Sequence, residues 1–233
     1  PPDVPVEPPA EVPLGPLLDD ALMVLDFEPE TFRDNDDYGE VLDQSGLDNR
    51  GKLHRASLVE EGIAGSAVRV GNGDYVSASD LPQHFLDHQK SLAISMWMRK
   101  EGDFRWKFLF DVGDFPDFGV TLAAFQTGGK ARVRFTLPMK HGGRVVDGTG
   151  SKVHPWHHVV ATWDGQQQML YLDGELVART PCSVLELNDK NVFVDCHNTT
   201  YVKLGAQVKW EHRGERYFNG LIDDVAVFDR GIT

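Results

Sequence analysis

Three histidines crowd the segment "VHPWHH" (His154, His157, His158), and two cysteines, Cys182 and Cys196, flank a polar loop. Clustered imidazoles are the raw material of a metal centre or a general base. Neighbouring residues of a strand point to opposite faces, however, so His157 and His158 cannot serve one centre, and the triplet reads as structural or surface histidine. Two cysteines are too few for a disulfide scaffold or a structural zinc site. They leave two readings open: one bridge closing the loop in an oxidising compartment, or two unpaired thiols. Loop-like aromatics offer a different chemistry. Trp106 in "DFRWKF" and Trp210 and Tyr217 in "QVKWEHRGERY" suit stacking against sugar rings. Arg105, His212 and Arg213 beside them can supply hydrogen bonds; the alternative is that the rings fill a core.

Arrangements that would make an enzyme are missing from the sequence. Glycoside hydrolysis needs a pair of carboxylates a few ångströms apart, and the acids here sit in turns and at strand ends. "GGRVVDGTGSK" lacks the order of a phosphate-binding loop and the helix that must follow it, and "GNGDY" fails as a dinucleotide fingerprint for the same reason. No serine sits in a G-x-S-x-G elbow. The chain reads as non-catalytic.

The elements that position these groups are strands. The 233 residues are 41% hydrophobic and 10% aromatic, enough for one large packed β domain. Residues 1–16, "PPDVPVEPPAEVPLGP", form a Pro-rich linker that reads as an extended, semi-rigid tether, with the folded domain occupying 17–233. "SLAISMWMRK" sets Leu92, Ile94, Met96 and Met98 on one face and Ala93, Ser95 and Trp97 on the other, as in a strand covered from both sides. "GSAVRVGNGDYVSAS" is a strand, a Gly-Asn-Gly turn and a strand. "WHHVVATWDGQQQMLYLDGELVA" holds three strands with Asp-Gly turns at Asp164–Gly165 and Asp173–Gly174; Asp-Gly favours type I′ hairpins, whose central residues both need positive φ. "KFLFDVG", "FGVTLAAF", "ARVRFTL", "YVKLGAQ" and "YFNGLIDDVAVFDR" continue the pattern, and only "LPQHFLDHQ" (81–89) suggests a short helix. Many short strands with regular turns imply an all-β antiparallel two-sheet sandwich.

Net charge is −13, and residues 1–60 carry 15 acids against four bases. A partner of nucleic acid or anionic membrane needs the opposite sign. No apolar run is long enough to insert in a bilayer. The acids of the first third read as a solvated face or as calcium ligands, and Asn198 in "NTT" fits an N-glycosylation site.

Taken in order, "VLDFEPE", "LDQSGLDNRGKL", "GSAVRVGNGDYV", "SLAISMWMRK", "WHHVVATWDGQQQMLYLDGELVA" and "YFNGLIDDVAVFDRGIT" resemble the laminin-G-like jelly rolls of the concanavalin A-like lectin/glucanase superfamily, over roughly residues 22–233. The resemblance implies two curved antiparallel sheets, with a concave face that in many members binds sugars or proteins. It also implies a structural Ca2+ that ties the first strand and its following loop to the last strand. Mapped onto this chain, the ligands would be Asp26, Asn49, the carbonyl of Gly51, and Asp223, with Glu28 and Asp224 able to exchange roles with their neighbours. Calcium takes six to eight oxygens in flexible geometry, and two carboxylates from opposite chain ends repel unless a cation lies between them. The expected function is therefore a non-catalytic, calcium-stabilised carbohydrate-binding module that takes a glycan or polysaccharide. The alternative is an adhesion or assembly module that holds a surface protein. On either reading the chain is part of a larger multidomain extracytoplasmic protein, secreted, periplasmic or at the cell surface.

Overall fold

The computed structural model describes residues 18, 20–35, 38–79, 91–101, 107–112, 120–127, 130–137, 144–149, 156–183, 201–207 and 217–232. The Pro-rich linker, the 81–89 segment, Trp106, His154, Cys196, Asn198 and Trp210 lie outside those residues.

Alternating residues produce strands along the whole described chain. The first third contributes β1 (Ala21–Leu25), β2 (Phe32–Asn35), β3 (Tyr38–Val41), β4 (Gly51–His54), β5 (Ser57–Val59), β6 (Ala67–Val70) and β7 (Tyr75–Ser79). The middle contributes β8 (Leu92–Lys100), β9 (Lys107–Val112), β10 (Val120–Thr127), β11 (Lys130–Leu137) and β12 (Arg144–Thr149). The last part adds β13 (Trp156–Trp163), β14 (Gln167–Leu172), β15 (Glu175–Pro181), β16 (Tyr201–Leu204) and β17 (Gly220–Phe228). They form two antiparallel sheets, the jelly-roll sandwich expected. One has eight strands, in the order β15-β14-β13-β8-β17-β6-β5 with β1 also on β17; the other has nine, β12-β11-β10-β9-β16-β7-β4-β3-β2.

The inner faces meet in one core. Met23, Leu25, Phe27, Met96 and Val227 on the eight-stranded side join Leu53, Val76, Phe110, Leu122 and Phe135 on the other. Each such side chain removed from water contributes about 1.5–3 kcal/mol before its entropy cost. Leu92, Ile94, Met96 and Met98 all enter this core, as their spacing requires, and Trp163 does so with its indole N–H satisfied by the Cys182 carbonyl at 2.8 Å. A smaller cluster of Ala21, Val24, Ala93, Ala226 and Phe228 lies apart from that core, packed by Leu18 and Ile232. Arg230 pairs with Asp20 at 3.2 Å, so the two ends of the domain lie side by side.

The Asp-Gly turns differ. Asp173 and Gly174 have φ of 54° and 79°, and Asn72 and Gly73 have 42° and 97°, as type I′ hairpins demand. At the other site only Gly165 is positive, at 89°. There the Asp164 carboxylate accepts the N–H groups of Gln166 and Gln167 at 2.8 and 2.7 Å, so the side chain closes a longer loop. Strands β2, β3 and β12 had no sequence signal, because "FRDN", "YGEV" and "RVVDGT" carry charge or glycine where alternation should show.

Candidate functional site

Inward residues are fixed by the core, so their alternates define the outer face of the nine-stranded sheet. Cross-strand register places Lys52, Ser77, Lys203, Asp111, Thr121 and Thr136 in a single row across β4, β7, β16, β9, β10 and β11. All six are polar. An outward polar row is ordinarily wet, yet Lys203 and Asp111 are 0% exposed, Thr136 1% and Thr121 2%. Thr136 Oγ1 is buried with no hydrogen-bond partner among the described residues. A buried hydroxyl left unpaired costs about 1–3 kcal/mol, a debt that a bound polar ligand or water relieves.

Aromatic rings flank this row, and their faces are engaged. His54 stacks on Tyr75 with centroids 4.3 Å apart, and its Nε2 lies 2.7 Å from Ser77 Oγ. Lys203 Nζ stands 4.4 Å from the Tyr75 centroid and Lys52 Nζ 3.7 Å from that of Tyr38. Arg132 and Arg134 lie 4.9 and 5.7 Å from the Phe125 centroid. Arg134 grips Asp147 of β12 in a two-pronged ion pair, one prong at 2.6 Å. Arg132 Nε is buried without a hydrogen-bond partner among the described residues. Tyr217 reaches this sheet: it bridges to Phe108 and is 8% exposed, while its neighbour Phe218 turns into the core. Of the three aromatics expected to meet sugar, Tyr217 is the one among the described residues.

A second constellation lies where β17 changes partners. Its first half pairs with β6 through Ile222, and its second half with β1 from Val225 onward. Asp223 and Asp224 occupy the junction, inside a bulge against β8, and Asp224 takes a φ of 46°. Asp223 is 1% exposed; its two oxygens accept the N–H groups of Ile63 and Asp224, each at 2.9 Å. Burial, and then the Asp224 charge, push its carboxyl up to about 8. Burial followed by the charges of Asp26 and Glu28 pushes Asp224 up to about 6. Glu28 is raised as well, by burial first and then by Asp26 and Glu30, although the Ser66 N–H opposes this. The 62–66 loop is shaped to these acids: a Cβ on Gly65 would sit 2.5 Å from the Glu28 oxygens, and one on Gly62 2.8 Å from Asp223 Oδ2.

Asp26 and Asp223 therefore meet at one seam, through their neighbours Glu28 and Asp224. Asn49 and Gly51 stand against β1, and the buried Asn49 Oδ1, the oxygen that would face a cation, has no hydrogen-bond partner among the described residues. Asn49 Nδ2 donates to the Leu22 carbonyl at 2.6 Å, freed by a bulge in β1, and its backbone N–H donates to Asp43. Leu22 precedes Asp26 by four residues, about 13 Å of extended chain. Gly51 lies in β4, packed beneath Leu25 and Val76. Among the described residues no three His, Cys, Asp or Glu side chains already close around a single point. A cation at the seam would rest on fewer carboxylates, completed by carbonyls and water, a mixed oxygen set that suits calcium.

The remaining expectations fall as follows. His157 and His158 point to opposite sides. His157 Nδ1 lies 2.9 Å from Asp173, whereas His158 tilts against Trp97 and meets Ser95 Oγ at 2.9 Å. Burial lowers the His158 pKa, with Asp173 opposing. Cys182 is buried, and its proposed partner Cys196 lies outside the described residues.

Residues 70–233 match a laminin G family model described as the concanavalin A-like lectin/glucanases superfamily. Comparison with curated protein sequences gives no match. Among solved structures, domain 4 of AbnA, an extracellular arabinanase from Geobacillus stearothermophilus in complex with arabinotriose, superposes with a TM-score of 0.61 at 15% identity, covering 92% of this chain and 94% of that one. The binding domain of botulinum neurotoxin DC in complex with SialylT gives 0.62 at 12% identity, covering 93% and 50%. The same domain in complex with rat synaptotagmin II gives 0.63 at 13%, again covering 93% and 50%. This chain thus spans about half the length of the toxin domains, and at such identities the likeness is one of fold.

Proposed function

The chain belongs to the concanavalin A-like lectin/glucanases superfamily, and from that premise we propose that it is a non-catalytic carbohydrate-binding module whose glycan lies across the outer face of the nine-stranded sheet. The observation that carries this reading is the buried polar row, and above all the unpartnered hydroxyl of Thr136. Ligand hydroxyls are donors and acceptors at once, so they can meet the partly exposed Lys52 and Ser77 and the Thr136 hydroxyl on one surface. Two solved structures of the same fold are complexes with arabinotriose and with SialylT, which supports a sugar as ligand. Trp106 immediately precedes β9 in the sequence, and Trp210 lies between β16 and Tyr217; both remain proposed contacts, together with Tyr217.

Calcium belongs to the proposal at the β17 seam. Asp26 and Asp223, with Glu28 and Asp224, would hold it, and the ion would supply the positive charge that these crowded carboxylates lack. The extracytoplasmic setting, the Cys182–Cys196 bridge and a larger multidomain parent are proposed with it. No helix among the described residues is long and apolar enough to cross a membrane.

The second reading, a protein-adhesion surface, draws on Leu176, 47% exposed on the edge strand β15, and on the synaptotagmin complex of a structural neighbour. A glycan array probed with the 233-residue chain separates the two. Binding of a defined oligosaccharide, weakened by Tyr217→Ala, Trp106→Ala or Trp210→Ala, supports the carbohydrate module; silence across the array favours a protein partner.

A further inference from the structure

We propose that the glycan taken by this face is anionic, a chain bearing carboxylates in the manner of a uronate, and that Arg132 is the group that holds the carboxylate. The inference rests on the carbohydrate reading above and sharpens it to a chemical class.

Among the described residues Lys52, Lys203, Arg132 and Arg134 stand on neighbouring strands of this face, and all but Arg132 have carboxylate company. Arg134 is committed to Asp147. Lys203 faces Asp111 across the β16–β9 ladder. Lys52 faces Glu40 across β3–β4. Arg132 differs. Its cross-strand neighbours are Phe125 on β10 and Thr149 on β12, both neutral, and two residues along its own strand stands Arg134, a like charge. Among the described residues it makes no ion pair, and its Nε is buried with no acceptor.

A guanidinium is permanently charged and presents its donors in a rigid planar fork. The ring of Phe125 beneath it holds that plane in place. A neutral sugar hydroxyl can accept one N–H from such a fork but leaves the charge unanswered. A carboxylate answers both, with two parallel hydrogen bonds. The rings point the same way. Tyr38, Tyr75 and Phe125 already carry a cation or an imidazole against a face, which leaves them poorly placed for stacking on the apolar side of a neutral sugar. With a net charge of −13 on the whole chain, long-range attraction of a polyanion is absent. Selectivity must come from this short-range pair, and raising salt should weaken it with a slope of about one ion.

The test uses the 233-residue chain and titration calorimetry with three probes: a galacturonate tetrasaccharide, its methyl-esterified counterpart, and a sulfated galactan oligosaccharide. The acid form should bind at least about tenfold tighter than the ester. Arg132→Gln should erase that preference by lowering the acid's affinity toward that of the ester, and Arg132→Lys should restore part of it, with melting curves confirming that each variant is folded. Equal affinity for acid and ester, or a preference that survives Arg132→Gln, overturns the proposal. So does tighter binding of the sulfated chain than of the uronate. Binding of the ester alone would sink the anionic inference and leave the carbohydrate reading standing. Binding of no glycan at all would sink both.

Discussion

Thr136 separates the demands of stability from those of binding. Its hydroxyl is buried and has no partner among the described residues, so among them it only costs stability. Thr136→Val keeps the shape and removes the polar group. It should leave the folded state as stable, or steadier by about 1 kcal/mol, since an unsatisfied buried group is removed. Glycan affinity should fall severalfold in the same variant. Urea denaturation and calorimetry on one preparation read both quantities. A loss of stability would mean that the hydroxyl is already satisfied, and the case for a ligand there would weaken. Arg132 is the complementary residue, a donor and a charge together, and the two lie four positions apart on one face of β11. Of the three histidines that first suggest chemistry, His157 and His158 sit on β13 of the other sheet, away from this face.

At the scale of elements, β17 organises the eight-stranded sheet. It pairs with β8 on one side and hands over from β6 to β1 on the other, and the hand-over is where acidic side chains are trapped. Gly220 at its start shows how tightly it is held. A Cβ there would come within 2.1 Å of the Arg99 carbonyl, backbone against backbone. Gly174 in the β14–β15 turn also has positive φ, 79°, yet a Cβ would meet nothing within 4 Å. Gly174→Ala should therefore cost about 1 kcal/mol, the price of left-handed backbone alone. Gly220→Ala should cost on the order of 3 kcal/mol or more, because the ladder must part to admit it. Thermal melting of the two variants ranks them, and equal losses would contradict the close β8–β17 approach. The same comparison explains why an Asp-Gly pair in a sequence does not specify one turn. At Asp173 the backbone makes the hairpin, and at Asp164 the side chain does.

Across the whole molecule, the seam joins the first strand to the last, and its charge should govern how stability responds to pH and to metal. Asp223 and Asp224 have carboxyls raised to about 8 and about 6 from an ordinary 3.8. A raised acid favours the fold while protonated, so this contribution is complete below about pH 4 and is lost as pH climbs through 6 and 8. In EDTA the melting temperature should fall between pH 5 and pH 8.5, and saturating calcium should abolish the fall by neutralising the acids. At pH 7.5, calcium at a hundredfold excess over Kd should stabilise by about 2.7 kcal/mol, roughly 5–10 °C for a chain of this size. A melting temperature indifferent to chelator across that range would remove calcium from the account. The sandwich itself was legible in the amino acids, because period-two alternation in "SLAISMWMRK" and "WHHVVATW" is a property of neighbours along the chain. So was the nearness of Asp26 to the last strand, though only through resemblance to a family. Strands such as "FRDN" escaped notice, since an edge strand needs no apolar alternation to pair. The polar row of Lys52, Ser77, Lys203, Asp111, Thr121 and Thr136 was legible nowhere: its members come from six strands, and each alone is an ordinary outward polar residue. Local patterning decides which way a side chain faces, whereas only the pairing register decides what stands beside it, and a binding surface is made of what stands side by side.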